Sequence, residues 1–140
     1  SGLRCPWRRH KYHNSMTTIL FIEDENALQS AATYALEKEG YTILSALDGE
    51  TGLELAKTKK PDIILLDLIL PKKDGFTVLA ELKSNDATRD IPIIILSNLE
   101  SSADVEKALA LGGTIYLVKA SYSLNEVMNK VQEVLGKKAK

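Results

Sequence analysis

Histidine, cysteine and tryptophan are scarce in this sequence, and all of them occur in one short stretch. The 140 residues include one Cys, one Trp and two His, namely Cys5, Trp7, His10 and His13, all of which precede Met16. Without cysteine, residues 16–140 have no disulfide framework and no thiol or zinc–thiolate chemistry. Without histidine, they also lack the side chain that most often acts as a general base near neutral pH.

The segment before Met16 differs in character from the rest of the chain. Residues 1–15 are rich in Arg and show neither helical nor strand periodicity. They also lack the apolar stretch of a secretory signal. We therefore expect residues 1–15 to be a tail left by an expression vector and residues 16–140 to form one domain. A natural basic arm is the alternative.

Long apolar runs and excess positive charge are missing as well. The longest aliphatic runs, residues 63–66 and 93–96, end at Asp67 and Ser97 and are too short to span a membrane. Four of the 18 Lys and Arg residues, and none of the 19 acidic residues, lie in residues 1–15, so residues 16–140 carry a net charge of −5. Since nucleic-acid binding requires a basic surface, we expect a cytoplasmic domain that contacts neither nucleic acid nor membrane.

From Met16 onward, short apolar runs alternate with segments whose apolar residues recur at helical spacing. The predicted strands are residues 17–22, 41–46, 62–67, 91–96 and 114–118. A helix is predicted after each strand, and the last one is predicted to end at Gly136. This alternation predicts an α/β fold with a five-stranded parallel sheet and helices on both faces. Periodicity does not determine the order of the strands.

Five polar residues lie at or just after the ends of the predicted strands, namely Glu23, Asp24, Asp67, Ser97 and Lys119. Because ligands bind at the carboxyl edge of a parallel sheet, these side chains are expected to converge. Each one alone has an ordinary structural explanation, such as a first-turn acid or a helix cap. Their shared position at one edge favours a functional site.

The residue types in this set suit a divalent metal and a phosphoryl group. Mg²⁺ prefers oxygen ligands, which Asp24 and Asp67 would supply directly and Glu23 through a water. Asp67 is the candidate nucleophile, because a carboxylate can form an aspartyl-phosphate intermediate. Lys119 would neutralise charge on the transferring group, and the Ser97 hydroxyl would donate a hydrogen bond to it.

Residues 18–135 closely resemble the receiver domain of two-component response regulators. The resemblance rests on five segments in register. The four positions that carry the site, Asp24, Asp67, Ser97 and Lys119, are separated by 43, 30 and 22 residues. The segments are residues 19–25, 62–68, 70–75, 93–97 and 116–119. The resemblance implies a flavodoxin-like sheet with strand order 2-1-3-4-5.

The resemblance also implies a function for each site residue. Asp67 would accept a phosphoryl group from a histidine kinase or a phosphotransfer protein. Glu23, Asp24, Asp67 and the backbone carbonyl of Ile69 would hold Mg²⁺. Ser97 and Tyr116 would form a switch pair that reshapes an output face made of helix 4, strand 5 and helix 5, where a downstream protein binds.

The sequence departs from the family pattern at two places. Ala120 follows Lys119 where the family usually has Pro, commonly after a cis peptide bond. A cis bond before a residue other than Pro costs roughly 3–4 kcal/mol, so we expect a trans bond or a strained cis bond held by tertiary contacts. Residues 112–114 replace acidic residues common in the family, which we expect to change surface charge and not chemistry.

Three functions are compatible with these observations. The leading interpretation is a signalling switch, which is not an enzyme in the usual sense because it promotes only its own phosphorylation and dephosphorylation. The first alternative is a degenerate receiver that acts as a constitutive protein-interaction module, which Ala120 favours and the complete acidic set opposes. The second is a metal-dependent phosphatase or hydrolase, although the sequence contains no insertion that would confer substrate specificity.

Two bulky apolar residues, Ile69 and Leu99, follow Asp67 and Ser97 by two positions. We expect both side chains to flank the site and to hinder an attacking water. The hypothesis is a long-lived phosphoryl form.

Overall fold

The structure is a computed structural model, and it describes residues 17–139. The predicted tail, residues 1–15, lies outside the described residues. Within them, alternating strands and helices form an α/β fold, as the sequence predicts.

Five parallel strands form one sheet in the order β2-β1-β3-β4-β5, which confirms the expected order. The strands are β1 (Thr18–Ile22), β2 (Thr42–Ala46), β3 (Ile63–Leu66), β4 (Ile93–Ser97) and β5 (Ile115–Val118). Every residue of the central strand β3 is buried. Such a strand is expected to be wholly aliphatic, because helices cover both of its faces.

The helices are α1 (Asn26–Lys38), α2 (Gly49–Lys59), α3 (Gly75–Ser84), α4 (Ser102–Ala110) and α5 (Leu124–Ala139). Four of them begin after a side chain that accepts a backbone N–H at the helix start, and before α5 this acceptor is the Ser123 hydroxyl, which accepts the Glu126 N–H at 3.2 Å. Asp48 accepts from Thr51 at 2.7 Å, Asp74 accepts similarly at the start of α3, and Ser101 does so at the start of α4. These caps satisfy N–H groups that the first helical turn leaves without partners.

Two apolar cores lie on opposite faces of the sheet. Successive side chains of a strand point to opposite faces, so Leu20 and Ile22 belong to one core and Ile19 and Phe21 to the other. The first core also contains residues of α2, α3 and α4. The second contains residues of α1 and α5. The expected placement of helices on both faces is therefore confirmed.

The structure corrects one helix end. Helix α5 continues past Gly136 to Ala139, so the predicted end at Gly136 is wrong. A Cβ at Gly136 would meet nothing within 4 Å, so no close contact there requires glycine. Glycine weakens a helix but does not terminate one unless the backbone turns left-handed.

The connection between β5 and α5 begins with a 3₁₀ turn at Lys119–Ser121. No peptide bond within residues 17–139 is cis, so of the two expected alternatives the bond before Ala120 is the trans one. None of the helices in this part of the chain is long and apolar enough to cross a membrane.

Candidate functional site

The strand register brings the candidate site residues to one edge of the sheet. Ile22 at the end of β1 pairs with Leu66 at the end of β3, so Glu23 and Asp67 leave the sheet side by side. The Asp67 N–H donates to the Ile22 carbonyl at 3.0 Å and closes this junction. In the same way Ser97 pairs with Val118, and Lys119 follows directly.

Glu23, Asp24 and Asp67 form an acidic cluster at this edge. One carboxylate oxygen from each lies within 4.8 Å of the other two. Glu23 is 0% exposed and Asp67 is 3% exposed, whereas Asp24 is exposed. All of these donors are carboxylate oxygens, and the cluster is open on the Asp24 side. This chemistry fits a hard divalent cation such as Mg²⁺.

Lys119 links the two buried acids. Its Nζ lies 2.6 Å from Oε1 of Glu23 and donates a hydrogen bond to Oδ2 of Asp67 at 2.8 Å. The amine thus reaches the cluster from β5 although Ala120, and not Pro, follows it. Replacing Pro has not turned the lysine side chain away from the site.

Burial and hydrogen bonding act in opposite directions on the pKa values of Glu23 and Lys119. Desolvation, together with the charge of Asp67, raises the pKa of Glu23 above its usual value, although the hydrogen bonds from Lys119 and the Glu25 N–H and the charge of Lys119 lower it. Burial alone would lower the pKa of Lys119. The hydrogen bonds to Asp67 and Glu23, and the charges of these acids, raise it by more, so the pKa lies above its usual value. The amine is therefore a stable cation at neutral pH.

Backbone groups hold the acidic side chains in place. Oδ1 of Asp67 accepts the N–H of Ile69 at 3.2 Å, and Oε2 of Glu23 accepts the N–H of Glu25 at 2.9 Å. The start of α3 packs tightly behind Asp67, because a Cβ on Gly75 would lie 2.4 Å from the Asp67 carbonyl oxygen. Glycine is required there by this close approach.

Ser97 and Tyr116 meet at the loop after β4. Ser97 is buried, and its Oγ is 3.4 Å from the Leu99 N–H. The Tyr116 hydroxyl donates to the Leu99 carbonyl at 2.6 Å. Burial raises the pKa of Tyr116, although a hydrogen bond with Ser97 lowers it. Both predicted switch residues thus hydrogen-bond to the backbone of Leu99.

The two apolar neighbours of the site differ in exposure. The Ile69 side chain is 54% exposed, whereas Leu99 is half-buried and packs against the core on the α2–α4 side. The metal-binding role predicted for the Ile69 carbonyl stays a prediction.

Sequence reasoning missed Gln29, which lies in α1 beneath the acidic cluster. Its side-chain amide contacts the backbone carbonyls of Phe21, Glu23 and Ala46. The sequence signal was weak, since one Gln among small and apolar helix residues resembles any solvent-facing position.

The fold and site define a flavodoxin-like domain with an acid–lysine cluster at the carboxyl edge of its sheet. The family model described as "Response regulator receiver domain" matches residues 19–132. The chain belongs to this family, whose members take part in phosphorylation-dependent signalling in two-component systems.

Curated relatives extend beyond the matched region. The chain is 38% identical over 120 residues to the DNA-binding dual master transcriptional regulator RpaA of Synechocystis sp., covering 86% of this chain and 49% of that protein. It is 37% identical over 117 residues to the alkaline phosphatase synthesis transcriptional regulatory protein PhoP of Bacillus subtilis, covering 84% and 48%. The chain therefore spans about half the length of these relatives.

Solved structures agree with the fold. The receiver domain of the Francisella response regulator 1452 matches with a TM-score of 0.79 and 29% identity, covering 89% of this chain and 99% of that one. The receiver domain of the Pseudomonas aeruginosa sensor histidine kinase PA1611, with magnesium coordinated in its active-site cleft, matches with a TM-score of 0.78 and 29% identity, covering 86% and 98%.

Proposed function

We propose that this protein is a phosphorylation-dependent switch in which Asp67 accepts a phosphoryl group, with Mg²⁺, from a histidine kinase or a phosphotransfer protein. The observation that carries the proposal is the pairing of the buried Asp67 carboxylate with Lys119 Nζ at 2.8 Å, inside a cluster of three acids. The protein's product is a changed conformation, so its chemistry serves only its own phosphorylation and dephosphorylation.

The residues divide the phosphoryl transfer between them. A carboxylate oxygen of Asp67 attacks phosphorus, and the bond between phosphorus and the donor's leaving nitrogen or oxygen breaks. Lys119 neutralises negative charge on the transferring group, and Ser97 donates a hydrogen bond to it. Both act by position and charge, so no histidine base is needed.

The cation site is assigned to Glu23, Asp24, Asp67 and the carbonyl of Ile69. The oxygen donor set supports this assignment, as does the magnesium in the PA1611 receiver domain. When bound, Mg²⁺ supplies positive charge that offsets the phosphoryl oxygens and the three acids.

The output is assigned to the face formed by α4, β5 and α5. Tyr116 in β5 reaches the Leu99 carbonyl at 2.6 Å, so a change at Ser97 alters the packing of the loop that leads into α4. Helix α4 presents the exposed side chain of Leu109. A downstream protein is proposed to bind this face when Asp67 is phosphorylated.

Intact-mass spectrometry tests the proposal. The protein is incubated with acetyl phosphate, with Mg²⁺ or with EDTA, beside Asp67→Asn. The exposed variant Asp86→Asn is the matched control, since the Asp86 side chain is 92% exposed. We expect one phosphoryl adduct in the wild type and the control, only with Mg²⁺, and none in Asp67→Asn.

A negative result leads to a second donor. If acetyl phosphate leaves no adduct, the assay is repeated with a phosphorylated histidine phosphotransfer protein. Failure with both donors contradicts the proposal and favours a constitutive interaction module. Turnover of a small phosphoester would instead favour a hydrolase.

A further inference from the structure

Gln29 is a buried polar side chain at the back of the acidic cluster. It lies near the start of α1, yet it is only 5% exposed. Three backbone carbonyl oxygens surround its Nε2, those of Phe21 at 2.9 Å, Glu23 at 3.0 Å and Ala46 at 3.0 Å. The amide has two N–H groups for these three acceptors, so it binds the ends of two strands and the loop between β1 and α1.

One of these acceptors belongs to the peptide that joins the two acids Glu23 and Asp24. The Glu23 carbonyl accepts from Gln29, and the Glu23 N–H donates to the Ala46 carbonyl at 2.9 Å. The backbone of Glu23 is therefore held on both sides, by α1 and by β2. A peptide plane held in this way sets the direction in which the chain continues to Asp24.

The carbonyl end of the Gln29 side chain shows that packing alone does not account for a Gln at this position. Its Oε1 is buried and has no hydrogen-bond partner within the described part of the chain. A buried polar atom without a partner destabilises the fold, and an apolar side chain of similar size would avoid that cost. The side-chain N–H groups of Gln29 must therefore provide an interaction that Leu or Met cannot make.

We propose that Gln29 is a positioning residue that orients the Glu23–Asp24 peptide so that both carboxylates face the cation site. The inference rests on the proposed function, because it assigns a supporting residue to the same site. Outer-shell partners of ligating carboxylates commonly change metal affinity by about 10–100-fold when mutated.

The test compares Gln29→Met with a matched control, Thr88→Val. Met nearly matches Gln in length and removes both donors. Thr88 is also buried, and its hydroxyl donates to the Leu82 carbonyl at 2.7 Å. It lies between α3 and β4, where the chain enters the amino edge of the sheet, opposite the carboxyl edge that carries the site. Its removal reports the loss of a buried hydrogen bond outside the site.

Two readouts separate positioning from stability. The Mg²⁺ dissociation constant is measured by calorimetric titration, and we expect it to rise about tenfold in Gln29→Met and to stay unchanged in Thr88→Val. Backbone amide exchange is measured in EDTA by NMR, and we expect faster exchange only in Gln29→Met, at Glu23 and Glu25, whose N–H groups donate to the Ala46 carbonyl and to Oε2 of Glu23. An unchanged affinity together with unchanged exchange overturns the inference.

The readouts also separate this inference from the proposed function. If the wild type does not bind Mg²⁺, the proposed metal site fails, and amide exchange alone decides whether Gln29 orients the peptide. If Gln29→Met does not fold, the wild-type NMR spectrum decides. The Gln29 side-chain amide signals are expected to shift with the same Mg²⁺ midpoint as the Asp24 amide, and the absence of such a shift overturns the inference.

Discussion

Lys119 is the residue on which the balance of charge in the site depends. Its amine contacts Glu23 at 2.6 Å and Asp67 at 2.8 Å, and both acids are almost fully buried. Removing one partner of a buried ion pair leaves an uncompensated charge, which costs about 3–5 kcal/mol. We therefore expect Lys119→Met to lower the free energy of unfolding in EDTA by at least about 3 kcal/mol.

Urea denaturation with and without Mg²⁺ checks this prediction. The control Lys130→Met breaks a surface pair whose atoms are 3.8 Å apart, and such pairs contribute roughly 0–1 kcal/mol. Mg²⁺ should stabilise Lys119→Met more than the wild type, because the cation then has no competing amine. Equal losses in the two variants would show that Lys119 does not neutralise the buried acids.

The second prediction for single residues concerns Ile69 and Leu99, the apolar residues beside the phosphoacceptor. Ile69 is 54% exposed, and Leu99 is held by the Tyr116 hydrogen bond to its carbonyl. We expect Ile69→Asn with Leu99→Gln to admit and orient water, and to speed loss of the phosphoryl group about tenfold, equal to about 1.4 kcal/mol in the barrier.

Decay of the adduct is followed by mass spectrometry after the donor is removed. Leu47→Asn is the control, since Leu47 is another exposed apolar residue, at 45%, in the loop after β2. A decay rate equal to that of the wild type in the double variant would rule out shielding by these side chains.

At the scale of the helices, side-chain caps mark where α2, α3, α4 and α5 begin, whereas α1 begins without one. The Asp48 carboxylate accepts the Thr51 N–H at 2.7 Å, and this hydrogen bond lowers the pKa of Asp48 from 3.8. A carboxyl group whose pKa is lower in the folded state stabilises the fold above its unfolded pKa and loses that effect as the pH falls through the folded value. The cap of α2 should therefore weaken in acid.

Two substitutions at Asp48 separate the cap from its charge. Asp48→Ala should lower stability by about 1 kcal/mol at neutral pH, whereas Asp48→Asn should retain most of it, because Asn caps about as well as Asp. Denaturant unfolding from pH 7 to pH 3 should show the Ala deficit shrinking below about pH 4. A deficit that does not change with pH would contradict the assigned role of the carboxylate.

At the scale of the whole molecule, two cores on either side of one sheet account for stability. Their buried residues lie between Ile19 and Val134. We therefore expect a chain of residues 16–140 to unfold at the same temperature as residues 1–140, within about 1 °C, and to bind Mg²⁺ equally. Calorimetry and the phosphorylation assay check this, and a lower melting temperature or a slower reaction would favour a natural basic arm.

The match to the receiver family covers nearly all of the part of the chain that holds the two cores. Curated relatives are about twice as long as the matched segment, and they are named as transcriptional regulators. One of them, RpaA, is named as DNA-binding, whereas residues 16–140 of this chain carry a net charge of −5.

Local patterns in the sequence determined the elements and the positions of the acids, Ser97 and Lys119. A buried strand requires a continuous aliphatic run and a helix requires its own period, so both can be seen without tertiary contacts. Because parallel strands end at one edge, residues that follow them must lie together. The strand order came from the resemblance to a family, since periodicity carries no information about which strands are neighbours.

Only the tertiary structure decided the features that depend on contacts between distant residues. The hydrogen bonds of Gln29 to Glu23 and Ala46 join a helix to a loop and a second strand. The Tyr116–Leu99 hydrogen bond crosses from β5 to the loop after β4. None of these contacts follows from local propensity, since each depends on which segments the fold brings together.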